Sequence, residues 1–237
     1  MAPMRDSLSR LRERPGERCG AAPRTPLIIA IDGPAAAGKG TLARRLAARF
    51  GLPHLDTGLL YRATGRRVLD TGGDPADPAA AGAAARTLRP EDLARPDLRG
   101  PAADAAAASV ASIPSVRAAL LDYQRAFGRA RGAVLDGRDI GTIVAPDAPA
   151  KLFVTASAEA RGLRRWRELQ ARGIDADPAE VTAQVRERDA QDAARTAAPL
   201  RQAPDALLLD TTDLDADATE RCALALLRDR HGLVPPG

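Results

Sequence analysis

The segment GPAAAGKGT, residues 33–41, contains the residues whose spacing most directly predicts chemistry. Glycines at these positions let backbone N–H groups turn towards phosphate oxygens, and a helix that begins at the loop adds the positive end of its dipole. Lys39, one of two lysines in an arginine-rich chain, can reach the β- and γ-phosphates. We therefore predict a nucleoside triphosphate site rather than a ligand-free glycine turn, formed by Gly33, Pro34, Ala35, Ala36, Ala37, Gly38, Lys39, Gly40 and Thr41.

Two oxygen-bearing side chains are candidates for the magnesium ion that accompanies such a nucleotide. The hydroxyl of Thr41 follows the loop lysine in the order GKGT, and Asp136 ends an apolar run as a magnesium-supporting carboxylate would. An aspartate before Gly137 also fits a turn, so both interpretations of Asp136 stay open. Thr41 and Asp136 are predicted to hold Mg²⁺, partly through water.

The rest of the chain indicates a second substrate that carries phosphate. No guanine-reading NKxD segment is present, and isolated arginines stand near predicted strand ends and on the later helices. Phosphoryl transfer to another phosphate needs charge neutralisation and in-line positioning more than a strong base. Any single arginine could equally be a solvated surface residue, so this prediction depends on the whole set.

Apolar runs and helical periodicities alternate along the chain and define the elements that must position these residues. The predicted strands cover residues 26–32, 52–55, 132–136, 151–155 and 206–210. The predicted helices cover residues 39–50, 57–69, 114–128, 157–172, 178–194 and 216–228. This alternation predicts an α/β fold of the P-loop type: a doubly wound, five-stranded parallel sheet with helices on both faces. Ligands bind at the carboxyl ends of such strands, where we expect Gly33, Asp56, Asp136 and Asp210.

Composition narrows the classes of partner. The net charge is +4 and the pI about 9.6, but the arginines are interspersed with acidic residues and aromatic residues make up only 3%. This composition disfavours a surface that stacks nucleic-acid bases, although a P-loop regulator of nucleic acid stays the alternative from another functional class. No apolar run approaches the roughly 18 residues of a membrane span. Cys19 and Cys222 lack metal-ligand spacing, which indicates a reducing, cytoplasmic setting.

Five blocks that follow one another in the chain carry a family resemblance. They are IAIDGPAAAGKGTLA, LDTGLLYRA, LDGRDIGT, PDAPAKLFVTASAEAR and RERDAQDAARTAAPL. Together they resemble the bacterial cytidylate kinases, which are P-loop nucleoside monophosphate kinases, over residues 26–227. The GRDIGT and RERDxxD blocks distinguish that family from adenylate and guanylate kinases. The resemblance implies ATP-dependent phosphorylation of CMP and dCMP by a monomer, with Mg²⁺ bound to the ATP. A nucleotide kinase with a more relaxed choice of base is the alternative within the same class.

The resemblance also implies roles for individual residues. Catalysis would depend on Lys39, Arg138, Arg188 and Arg195. The CMP site would contain Asp56, Thr57, Tyr61, Arg62, Arg117, Arg138, Asp139, Arg188, Asp192 and Arg195. The closing lid would carry Arg161, Arg164 and Arg165. Thr57 and Tyr61 also fit a helix start and a packing role, so their contact with the acceptor stays open. His54 and His231 show no partner pattern and are predicted to be structural.

Asp139 is the residue that the resemblance assigns to the choice of base, with Arg117 beside it. A carboxylate accepts a hydrogen bond from the exocyclic amino group of cytosine, whereas uracil presents a carbonyl oxygen at the same place. A site built in this way can reject the wrong base by about 10⁴-fold. The alternative for Asp139 is a helix cap or an ion pair with Arg138.

The domain organisation follows from the same resemblance. Residues 1–25 are predicted to be a disordered basic tail, and residues 26–237 a single kinase domain. Within the domain, a core of residues 26–70, 114–160 and 196–237 would carry a reduced acceptor-binding region at 71–113 and a lid at 161–195. We expect short, loosely attached helices at 71–108, because the stretch 85–101 is too short and Pro-rich for the small sheet that many relatives insert. Ala108 stands where the family has a cytosine-contacting serine, with Ser109 next to it, and Ala193 and Ala194 replace polar lid residues.

Overall fold

The computed structural model describes residues 26–195 and 198–236, without the side chain of Pro101. The predicted tail at 1–25 lies outside these residues. Five parallel strands form the centre: β1 (Ile28–Asp32), β2 (His54–Asp56), β3 (Ala133–Gly137), β4 (Ala150–Thr155) and β5 (Leu207–Asp210). They lie in the order β2-β3-β1-β4-β5, and every pairing is parallel. The predicted five-stranded parallel sheet is therefore confirmed.

Helices surround this sheet. In chain order they are α1 (Lys39–Phe50), α2 (Thr57–Asp70), α3 (Pro78–Arg86), α4 (Pro101–Ala111), α5 (Pro114–Arg131), α6 (Ala158–Gln170), α7 (Pro178–Ala194) and α8 (Ala216–His231). A short 3₁₀ helix spans Pro90–Ala94, and a π-helical turn spans Ile140–Val144. Among the described residues, none of the helices is both long enough and apolar enough to cross a bilayer.

The central strand β1 is buried on both faces, as its continuous apolar sequence predicts. Side chains alternate across a strand, so Ile29 and Ile31 pack into one core with α1 and α8, whereas Ala30 packs into a second core with α2, α3 and α5. Helices on both faces follow from this alternation. The carboxyl ends of β1 and β3 therefore meet at one edge, where Asp32 pairs in register with Gly137.

The stretch 71–108 contains short helices, as predicted, but the expectation that it is loosely attached is wrong. Ala81 and Ala85 are buried in the second core. Helix α4 lies so close to α2 that a Cβ on Gly65 would come within 2.8 Å of the Cβ of Ala106. Alanine-rich sequence gives a weak periodic signal, yet its small side chains are what allow two helix backbones to approach this closely.

Candidate active site

A large pocket of about 660 Å³ opens at the carboxyl edge of the sheet beside the loop of residues 33–41. Its size lies in the range of small-molecule sites. The loop leaves β1 through Gly33, whose φ is +146°, and a Cβ there would lie 1.9 Å from the carbonyl oxygen of Val154. Only glycine fits so close to β4. The pocket is lined by Ala36, Ala37, Gly38, Lys39, Gly40, Thr41, Arg44, Asp56, Arg99, Arg164, Arg165 and further residues of α1, α6 and α8.

Lys39 is buried at the floor of this pocket. Its Nζ donates to the carbonyl oxygen of Pro34 at 2.7 Å, so the ammonium group lies inside the curve of the loop. Burial, followed by repulsion from Arg138, lowers the pKa of Lys39 to about 7, against the opposing pull of Asp136, Asp32 and other carboxylates. The charged form of a lysine buried in this way is strongly stabilised when an anion binds in the loop.

Asp136 lies beside the loop and not in a turn. Strand β3 continues to Gly137, so the turn interpretation of this residue is wrong. Its Oδ2 would be 3.4 Å from a Cβ on Gly40, and its Oδ1 lies 3.2 Å from Nε2 of His54. His54 therefore contacts a site residue, which its sequence context did not indicate. Thr57 donates to the backbone carbonyl of Asp136 at 2.8 Å, so the Thr57 hydroxyl faces β3.

A smaller pocket of about 140 Å³ is lined in part by Asp139 of the GRDIG turn. Arg117 and Asp139 meet there, with Nη2 of Arg117 2.6 Å from Oδ2 of Asp139. The guanidinium carbon of Arg117 is 5.9 Å from the centre of the Tyr61 ring. Burial raises the pKa of Asp139, and Arg117 opposes that rise. The ion pair expected as an alternative, with Arg138, is wrong, because the partner of Asp139 is Arg117. The remaining lining residues are Ala118, Leu121, Gln124, Ile143, Val144 and Ala198.

Three predicted arginines converge on one buried carboxylate, Asp192, which is 0% exposed. Nε of Arg138 lies 2.7 Å from Oδ2, while Nη2 of Arg195 and Nε of Arg188 lie 2.7 and 3.5 Å from Oδ1. Burial alone would raise the pKa of Asp192, but Arg138, Arg195 and Arg188 together lower it. The result is a cluster with more positive than negative charge, suited to an anionic ligand.

The predicted lid arginines contact three different parts of the molecule. Arg161 is buried and forms a two-pronged ion pair with Asp189 of α7, at 2.9 and 2.6 Å, while also reaching the loop carbonyl of Ala35 at 3.4 Å. Arg164 donates to the hydroxyl and the carbonyl of Thr211, after β5. Both Arg164 and Arg165 line the large pocket.

Arg62 contacts one carboxylate and is close to a second. Its Nε donates to Oδ1 of Asp104 at 2.9 Å, and Oδ2 of the same Asp104 accepts from Arg165 at 2.7 Å. The second carboxylate is Asp56, whose pKa is raised by burial and by Asp136 and held down by Arg62. The sequence pattern did not single out Asp104, because its alanine-rich surroundings carry no motif.

Asp32 is a second functional position that the motifs missed. Its carboxylate accepts from the N–H groups of Ile140 and Gly141 at 2.8 and 2.7 Å, which fixes the turn that carries Arg138 and Asp139. Burial raises the pKa of Asp32 to about 6, against those two hydrogen bonds. Its position at the end of the apolar strand before the loop was a usable signal.

Comparison with known proteins identifies the family of this chain. The family model described as Cytidylate kinase matches residues 29–225. Cytidylate kinase of Granulibacter bethesdensis is 63% identical over 202 residues, covering 85% of this chain and 97% of that protein. Cytidylate kinase of Acidiphilium cryptum is 65% identical over 192 residues, covering 81% and 91%. The chain belongs to the cytidylate kinase family.

Solved structures that resemble this chain share much less of its sequence. An uncharacterized protein from Eubacterium ventriosum superposes with a TM-score of 0.52 at 13% identity, covering 86% of this chain and 99% of that protein. This likeness shows the α/β fold and nothing finer. As a member of the cytidylate kinase family, the chain is a phosphotransferase. Ala108 and Ser109, which stand where the family resemblance places a cytosine-contacting serine, do not line the small pocket. The polar residues that line it are Tyr61, Arg117, Gln124 and Asp139.

Proposed function

We propose that the chain transfers the γ-phosphoryl group of ATP to CMP and dCMP, with ATP in the large pocket and the pyrimidine in the small one. The observation that carries this assignment is that Arg138 contacts Asp192 and is also close enough to Lys39 to affect its charge. Its guanidinium contacts Asp192 in the acceptor cluster, and its charge is the strongest electrostatic influence lowering the pKa of Lys39 in the phosphate loop. Donor and acceptor phosphates would therefore meet at one arginine.

The acceptor nucleotide would bind along this edge of the sheet, with different residues contacting its base, ribose and phosphate. Asp139 and Arg117 would bind cytosine, with Tyr61 beside them. Arg188 and Asp192 would bind the ribose, and Arg62, Arg138 and Arg195 the phosphate. Thr57 would act through its bond to β3, which holds the start of α2 and Asp56 under the acceptor phosphate.

Catalysis by these residues is a matter of charge and alignment. The acceptor oxygen is already anionic, so a general base is not required. Lys39 and the loop N–H groups hold the donor phosphates, while Arg138, Arg188 and Arg195 neutralise the charge that spreads over the transferred group. Arg161, Arg164 and Arg165 close the lid over the phosphates and exclude water, which would otherwise accept the phosphoryl group.

Magnesium fits the residues beside the loop. Among the described residues there is no group of three or more His, Cys, Asp or Glu side chains that could form a metal site. Mg²⁺ in kinases is commonly held by substrate phosphates and water with only one or two protein oxygens, and Thr41 with Asp136 supplies that number. Mg²⁺ bound with ATP would offset phosphate charge. Asp136, held by His54, would orient its water ligands.

We further expect a monomer that works in the cytoplasm, where ATP and CMP are available. Coupled kinase assays with CMP, dCMP, UMP and AMP test the assignment. We expect CMP and dCMP to be turned over efficiently, and UMP and AMP at least 100-fold less efficiently by kcat/KM, within the discrimination that a hydrogen-bonding pocket provides. Equal turnover of UMP would show that Asp139 does not select the base.

A further inference from the structure

Asp104 is a charged residue of the site that the proposed reaction does not use. It lies on α4, and its two carboxylate oxygens bind arginines of two other helices. Oδ1 accepts from Nε of Arg62 on α2 at 2.9 Å, and Oδ2 accepts from Nη2 of Arg165 on α6 at 2.7 Å. One carboxylate thus joins an arginine assigned to the acceptor phosphate to an arginine assigned to the lid.

The surroundings of Asp104 are those of a phosphate site. Its charge is also felt by Arg188, whose pKa is lowered by burial and by Arg138 and Arg195, with Asp104 among the groups that oppose the shift. Arg62 and Arg165 therefore contact Asp104, and Arg188 is close enough for its charge to matter. A carboxylate and a phosphate use the same N–H groups of a guanidinium, and a phosphate dianion carries more charge.

We propose that Asp104 is a positioning residue that holds Arg62 next to Arg165 while CMP is absent and competes with the acceptor phosphate for Arg62. This inference rests on the proposed function, in which Arg62 binds the phosphate of CMP. When CMP binds, its phosphate takes the Nε–H of Arg62 from Asp104, and Asp104 retains only Arg165. The carboxylate thereby lowers the affinity for CMP and keeps the two arginines from repelling one another.

The geometry makes this exchange feasible. The Asp104 side chain is 30% exposed, so water can solvate it when Arg62 leaves. Partly exposed ion pairs of this kind are weak and can be exchanged. Helix α4 packs closely against α2 at Gly65 and Ala106, so α4 stays in place when the side chain of Arg62 turns. Arg62 would turn towards the phosphate while Asp104 stays in place.

The test compares the binding of CMP and of cytidine, which lacks the phosphate, to the full chain and to Asp104→Asn. Isothermal titration should show CMP binding tightened by about three- to tenfold in the variant, with cytidine affinity unchanged. A structural role for Asp104 would instead weaken both ligands or neither. Unchanged or weaker CMP binding, or equal tightening for cytidine, overturns the inference. Asp104→Ala is the second variant, and it should tighten CMP in the same direction.

Two further variants separate this inference from the proposed function. Asp97→Asn is the matched control, because Asp97 pairs with Arg95 and Arg66 nearby but with no site arginine; it should leave CMP affinity unchanged. Arg62→Ala should weaken CMP but not cytidine, and should remove most of the gain from Asp104→Asn. If Arg62→Ala leaves CMP binding unchanged, the proposed role of Arg62 fails. If it weakens CMP while Asp104→Asn has no effect, only the competition fails.

Discussion

Arg117 and Asp139 bind each other across the small pocket, with Nη2 of Arg117 2.6 Å from Oδ2 of Asp139. Both side chains are largely buried, so each is oriented by the other. The pair presents a carboxylate acceptor and guanidinium donors on one wall. A cytosine ring offers the reverse arrangement, an amino donor next to ring N3 and O2 acceptors.

The first prediction concerns the choice of base. Asp139→Asn replaces a carboxylate acceptor with an amide, whose N–H group can donate a hydrogen bond to the carbonyl oxygen of uracil. We expect kcat/KM for CMP to fall by about 10- to 100-fold, the loss of one charge-assisted hydrogen bond, and the ratio of CMP to UMP turnover to fall further. Steady-state assays with both nucleotides measure this ratio.

The matched control is Asp122→Asn, an exposed aspartate on the same helix as Arg117. It should change neither nucleotide's kcat/KM. If Asp139→Asn lowers CMP and UMP turnover by the same factor, the residue supports the fold of the pocket and does not read the base. The KM for ATP should stay unchanged in either case.

The second prediction is that ATP binding takes up a proton at Lys39. Its pKa is lowered to about 7, and nucleotide phosphates at the loop would raise it again. At pH 8 most Lys39 side chains are neutral in the free protein, so binding should take up about 0.9 proton; at pH 6 the uptake should be about 0.1. ATP affinity should accordingly fall as the pH rises above 7.

Isothermal titration in buffers of different ionisation enthalpy measures this uptake, with magnesium present so that the phosphates of ATP stay deprotonated. Lys39→Arg is the control, because a guanidinium stays charged throughout this range. It should bind ATP without taking up a proton. No dependence on the buffer at pH 8 in the wild-type chain would contradict the lowered pKa.

Much of the fold could be predicted from sequence because its signals are local. The apolar runs that became β1, β3, β4 and β5 have no other way to be buried than in a parallel sheet with helices on both faces. Predicted ends differed by a few residues: α5 continues to Arg131, and the turn at Ile140–Val144 was not predicted. That turn is held by Asp32, more than a hundred residues earlier, and the position of Asp32 at a strand end does not indicate which turn it contacts.

Candidate site residues could be predicted where they belong to sequence motifs, and not where they come together only in the fold. Lys39 and Arg138 were predicted because their neighbours form recognisable blocks. Asp104 was missed because its contacts with Arg62 and Arg165 depend on where α4 packs, and a run of alanines does not specify that. The partner of Asp139 was assigned wrongly for the same reason, since Arg117 approaches from another helix.

The third prediction concerns the close packing of α4 on α2. Gly65→Ala adds a Cβ that would lie 2.8 Å from the Cβ and 2.9 Å from the carbonyl carbon of Ala106, so a helix backbone must move. Overpacking costs about 1–3 kcal/mol, against a gain of about 1 kcal/mol from better helix propensity. We expect a net loss of up to about 2 kcal/mol in the free energy of unfolding, measured with denaturant.

Gly82→Ala on α3 is the comparison variant. Its new Cβ would meet only the side-chain ends of Ser115 and Arg86, at 3.2 and 3.3 Å, which can move aside. It should be neutral or slightly stabilising. Equal stability of the two variants would show that α4 is not held tightly against α2.

The fourth prediction is that Asp192 stabilises the fold in a pH-dependent way. Arg138, Arg188 and Arg195 lower the pKa of this carboxyl, so the folded state binds its proton less tightly than the unfolded chain does. The stabilisation is therefore complete above the ordinary carboxyl pKa of about 4 and is lost as the pH falls through the lower folded-state value. Asp192→Asn leaves three arginines without their counter-charge, and we expect it to cost about 2–4 kcal/mol at pH 7.5.

Denaturant unfolding at pH 7.5 and at pH 3 measures this loss, with Asp175→Asn as the control. Asp175 is exposed and forms no ion pair among the described residues, so its replacement should change stability by less than about 0.5 kcal/mol at either pH. The difference in unfolding free energy between wild type and Asp192→Asn should narrow at the lower pH, because the unfolded wild-type chain then takes up a proton that the folded chain binds less tightly. CMP should also raise the stability of Asp192→Asn at pH 7.5, since its phosphate supplies negative charge to the same arginines. A gap of equal size at both pH values would mean that Asp192 acts through packing and not through its charge.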